Sequence, residues 1–60
     1  MTLGELKSKI ITELGDMYNS VYFDQDIDKC KNIWDILFIL EEYGYDKQGS
    51  LDIVFSIVID

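Results

Sequence analysis

SLDIVFSIVID, residues 50–60, is the stretch whose reading decides the fold. Leu51, Ile53, Phe55, Ile57 and Ile59 alternate with Asp52, Val54, Ser56, Val58 and Asp60. A period of two puts the first set on one face of a β-strand and the second on the other. The first face is wholly apolar and suits a core; the second is mixed. A strand leaves its backbone N–H and C=O groups pointing sideways, and those groups need a neighbour. The chain offers one short candidate, Val21-Tyr22-Phe23, which fits the end of a helix equally well. The core segment IVFSIVI has high β-propensity, no charge and no proline, so an unpaired copy would invite aggregation. Asp52 and Asp60 flank it as gatekeepers but cannot satisfy its edges. The expectation is a strand paired with its symmetry mate in a homodimer. Leu51, Ile53, Val54, Phe55, Ile57 and Val58 would then form the interface.

Helices are expected before that strand. Thr2-Leu3-Gly4-Glu5 fits a capping box, in which Thr2 and Glu5 satisfy each other's backbone N–H. Leu3, Leu6, Ile10, Leu14, Met17 and Val21 then recur at spacings of three and four. The spacing predicts a helix over residues 3–19, with Lys7 inside its apolar stripe, either snorkelling or meeting an acid on another element. Gly15 costs about 1 kcal/mol inside a helix. The competing reading ends the helix at Leu14 and uses Gly15 as the residue after the cap. A second helix is expected over residues 28–43, closed by Gly44. Its apolar arc spans roughly 220° on the helical wheel, more than one neighbouring helix can cover. It should therefore be a central element, with Trp34 in the core. Asp46, Lys47, Gln48 and Gly49 read as a turn. The fold class expected is α+β, a single domain over residues 1–60 made of two amphipathic helices and one C-terminal strand.

Sixty residues hold one small core, which rarely supplies more than about 3–5 kcal/mol. One cysteine cannot make an internal disulfide, and the absence of histidine removes the usual zinc sets. Oligomerisation is the remaining support. The 48% apolar content is too high for a disordered chain, and no apolar run approaches the about 20 residues of a membrane span. The start, MTLGELKSK, lacks the basic-then-apolar order of a signal peptide, so a cytoplasmic protein with a reduced thiol is expected. Arg, His, Pro and Ala are absent while Ile, Asp and Lys abound. That usage resembles coding from an AT-rich bacterial or phage genome.

Twelve acids face five lysines, for a formal charge of −7. Such a body repels nucleic acid and anionic membrane and attracts a basic partner. Asp16, Asp24, Asp26, Asp28, Asp35 and Glu42 are the acids expected to carry that attraction. Asp24, Asp26 and Asp28 resemble the opening of an EF-hand loop. The glycine position holds Lys29 and the final ligand position Asp35, so helix-start acids explain them better and no metal is expected. Cys30 reads as a small buried thiol, with no histidine to act as its base. Glu41 and Glu42 are adjacent and diverge on a helix, so they form no catalytic pair. No phosphate loop or nucleophile elbow occurs. No enzyme activity and no cofactor are expected. The function expected is an acidic inhibitor or decoy of a host protein, of the phage anti-defence kind, occupying a site that otherwise takes nucleic acid. The alternative is a regulatory or structural adaptor, such as an antitoxin or immunity protein. It would bind through an aromatic and apolar patch. Tyr22, Tyr43 and Tyr45 lie near element ends, where partial exposure is expected.

Overall fold

The structure, a computed structural model, describes residues 1–18 and 21–59, with Asp16 described by its backbone alone. It contains four helices: α1 (Leu3–Tyr18), α2 (Val21–Asp28), α3 (Ile33–Glu42) and α4 (Lys47–Ile59). No strand occurs among the described residues, so the fold is all-α and the α+β expectation is overturned. Residues 47–59 are one helix, which takes in residues 50–59 of the decisive stretch; Asp60 lies outside the described residues.

The reason lies at its start. The Asp46 carboxylate accepts the Gly49 N–H at 2.6 Å, and the Asp46 carbonyl accepts the Ser50 N–H at 2.9 Å. That is an N-cap, so the residues read as a turn are the cap and first turn of α4. Gln48 Nε2 donates to Asp52 Oδ1 one turn on, at 2.9 Å. The helix meets its own backbone hydrogen bonds, which a strand without a neighbour cannot. Ser50, Val54 and Ile57 are buried and Ile53 half-buried, a helical spacing. Because six of the seven residues of its core, IVFSIVI, are apolar, the sequence satisfies a period of two and a period of 3.6 alike.

The helix expected over residues 28–43 starts later, as α3 at Ile33, and the residues before it form a separate helix, α2. Val21-Tyr22-Phe23 is the first turn of α2, which ends at Asp28. Asn32 then caps α3: its Oδ1 accepts the Asp35 N–H at 3.0 Å, while Asp35 Oδ2 accepts the Lys31 N–H at 3.1 Å. Gly44, at φ +106°, ends α3 as expected. The Tyr45 N–H reaches the Leu40 carbonyl and the Gly44 N–H the Glu41 carbonyl, the two bonds of a Schellman motif. The Thr2–Glu5 capping box forms, at 3.1 Å and 3.2 Å. The Thr2 backbone N–H and hydroxyl hold the Glu5 carboxyl below its usual range.

α1 runs through Gly15 to Tyr18, so the glycine is interior and not a terminator; the Asn19 end expected for this helix lies outside the described residues. Lys7 meets a backbone group and, among the described residues, no acid. Its Nζ donates to the Asp28 carbonyl at 2.7 Å, supplying from α1 the cation that the end of α2 lacks.

The helices pack in a ring: α1 on α2, α2 on α3, α3 on α4 and α4 back on α1. The core is Leu6, Ile10 and Leu14 of α1, Phe23 and Ile27 of α2, Cys30, Ile36 and Leu40 around α3, and Val54 and Ile57 of α4. Tyr18, Phe23, Tyr43 and Tyr45 form an aromatic cluster at one end. Tyr18 stacks on Phe23 at 5.0 Å, and Tyr43 meets both edge-on at 5.1 and 5.0 Å. Among the described residues no helix is long and apolar enough to cross a membrane.

Candidate functional surface

Helix α3 buries Ile36 and Leu40 and turns Trp34 outward, 73% exposed, with Phe38 at 61%. The expected core place of Trp34 is thus corrected. An apolar arc of some 220° is wider than α2 and α4 together cover. Helix α4 meets the same limit. Val54 and Ile57 face the core, while Leu51, Phe55 and Val58 remain exposed, Phe55 at 57%. The six residues expected to form one strand interface therefore divide. Val54 and Ile57 belong to the molecule's own core and Ile53 lies at its edge. Only Leu51, Phe55 and Val58 are open to a partner.

Helices α3 and α4 form an antiparallel hairpin, with Glu41 beside Lys47 at one end and Ile33 beside Val58 at the other. Between them runs an open groove of about 350 Å³, lined by Trp34, Leu37, Phe38, Glu41, Lys47, Ser50 and Leu51. Leu51 leads to Phe55 one turn further on α4. A fully buried aromatic side chain covers roughly 150–250 Å², so the exposed parts of Trp34, Phe38 and Phe55 alone present about 300–400 Å². The whole molecule has an accessible surface of 4158 Å². That is the size of the largest apolar patch on many monomers, and such patches are often functional.

The acids expected to act together are dispersed, and several have structural tasks. Asp26 Oδ2 accepts the Tyr43 hydroxyl at 3.0 Å, binding α2 to the end of α3. Burial, then that carboxylate, pushes the Tyr43 phenol up. Asp35 serves the start of α3. Asp24 is half-buried, with Oδ1 enclosed and without a hydrogen-bond partner among the described residues. Asp28 and Glu42 are exposed on different helices, and the side chain of Asp16 lies outside the described residues. Asp24, Asp26 and Asp28 are wound into α2, where alternate residues diverge, unlike the ligands of a calcium loop.

Cys30 is buried, and its thiol donates to the Asp26 carbonyl at 3.4 Å. Burial, then the Asp35 carboxylate, pushes the thiol up, so it stays protonated and unreactive near neutral pH. Tyr22 is exposed, whereas Tyr43 and Tyr45 are half-buried in the aromatic cluster. Sequence reasoning missed the groove itself. The signal was present in Trp34, Phe38 and Phe55, but their directions depended on the break after α2 and on the helical state of α4.

The fold and surface define a small four-helix module with one open aromatic face. The chain matches no protein-family model, no curated protein and no solved structure.

Proposed function

We propose that this chain is a protein-binding module of the regulatory-adaptor kind, engaging its partner through the apolar face of α3 and α4. One observation carries this reading: Trp34 and Phe38, each more than half exposed, line the groove with Leu51, and Phe55, also more than half exposed, lies one turn beyond Leu51 on α4. Trp and other large aromatics in a partly preformed depression are the side chains that dominate interface energies. The acidic-decoy reading is less favoured, because Asp26 and Asp35 are engaged within the fold.

Photo-crosslinking tests the proposal. A crosslinking amino acid at position 38 or 55 should capture a partner protein in cells, and one at Thr12 on α1 should not. Phe38→Asp in the chain labelled at position 55 should abolish capture, while Asp28→Asn leaves it intact. Capture that survives Phe38→Asp, or that Asp28→Asn removes, would overturn the reading in favour of the acidic surface.

A further inference from the structure

The charges beside the groove identify the chemistry of its occupant, and this inference rests on the protein-binding reading. On the α3 wheel, Trp34, Leu37, Phe38 and Glu41 share the groove side, and Asp35 and Glu42 lie just beyond Phe38. On α4, Leu51 and Phe55 share a side, and Asp52 lies just beyond Phe55. All three of these flanking acids are exposed. Glu42 and Asp52 thus stand at opposite margins of the apolar strip, with Lys47 lining it and Lys29 beside Asp35 and Phe38. We propose that the strip binds a basic amphipathic α-helix of a partner protein. The apolar stripe of that helix would lie over Trp34, Phe38, Leu51 and Phe55, and its Lys and Arg residues would meet Glu42 on one side and Asp52 on the other.

Three features favour this occupant. A groove between two antiparallel helices accepts a third helix by ridges-into-grooves packing. No strand edge exists among the described residues to receive an extended peptide. A second copy of the chain would bring acidic margin against acidic margin and one −7 body against another, whereas a basic helix is attracted by both.

Trp34 is the single tryptophan of the chain and stands on the strip, so its emission reports occupancy. The probe is a synthetic peptide of about 18 residues, Leu and Lys patterned as an amphipathic helix; a Leu and Glu peptide of the same pattern is the control. The Lys peptide should shift Trp34 emission to the blue and gain helicity, while the Glu peptide does neither. Phe38→Ala with Phe55→Ala should weaken binding at least about tenfold. Glu42→Gln with Asp52→Asn should flatten its salt dependence. Both peptides binding equally, or the double alanine variant binding as well as the wild type, would overturn the inference. Light scattering in the same samples separates this failure from that of the broader reading. A chain of twice 7.0 kDa, with Trp34 emission already blue and indifferent to peptide, would mean that a second copy occupies the face. The basic-helix inference would then fail while the face remained a protein-binding surface. A monomer that ignores both peptides overturns the helix inference alone, since the crosslinking experiment tests the face without reference to it.

Discussion

Gly15 shows how a single residue acquires meaning from its neighbours. A Cβ at this position would stand 3.2 Å from Asp24 Oδ1, the enclosed oxygen without a described partner. Alanine in a free helical position gains about 1 kcal/mol over glycine. Gly15→Ala should gain less than that, and combining it with Asp24→Ala should release the difference as a non-additive term in a denaturant double-mutant cycle. Additivity of the two changes would show that the contact is unimportant. Tyr18 offers a second test. Burial, then its hydroxyl contact with Tyr45, pushes its phenol from an ordinary value of 10.0 up to about 12. A raised acid is stabilising while protonated. Its contribution should therefore be complete below about pH 10 and lost as pH rises toward about 12. Stability curves measured from pH 8 to 12 should fall over that window, and Tyr18→Phe should flatten the fall.

At the scale of the element, α4 is where local preference and final state disagree most. IVFSIVI is rich in β-branched and aromatic residues, which are mediocre in helices and favourable in strands. What holds it helical is the Asp46 cap and the burial of one helical stripe. Asp46→Ala should cost about 1 kcal/mol in chemical denaturation. An alanine scan distinguishes the two states of this segment directly. Ile57→Ala should cost about 2–5 kcal/mol, and Val54→Ala should cost more than a surface change, because both are buried. Phe55→Ala should fall within about 0.5 kcal/mol. In a strand, Phe55 and Ile57 would share a face and behave alike, so equal losses at 55 and 57 would contradict the helix. The helix starts were legible at Thr2 and the stop at Gly44, because capping chemistry is local. The break after α2 was not. Asn32 competes there with Asp24, Asp26 and Asp28, all capable caps, and only packing selects among them.

The whole molecule explains why so much apolar surface stays open. Four helices of at most 16 residues, closed in a ring, enclose only the inner stripe of each. Phe38→Ser should therefore leave the melting temperature nearly unchanged while removing partner capture. A large loss of stability would place Phe38 in the core instead. The same geometry decides which acids are available, since Asp26 and Asp35 are drawn into joining and capping helices while Glu42 and Asp52 remain exposed at the margin of the strip.

By itself, the sequence determined the two local signatures at Thr2–Glu5 and Gly44, the apolar stripe of α1, the buried thiol of Cys30 and the acidic charge. Each depends on neighbours within one or two turns or on composition alone. Only the tertiary structure decided that residues 47–59 are a helix, that Trp34 faces outward and that the six acids do not share one site. Those outcomes turn on which backbone groups find partners and which stripes find cover. An apolar core such as IVFSIVI satisfies both periodicities, and the packing of α4 between α1 and α3 chose the one that met its own hydrogen bonds.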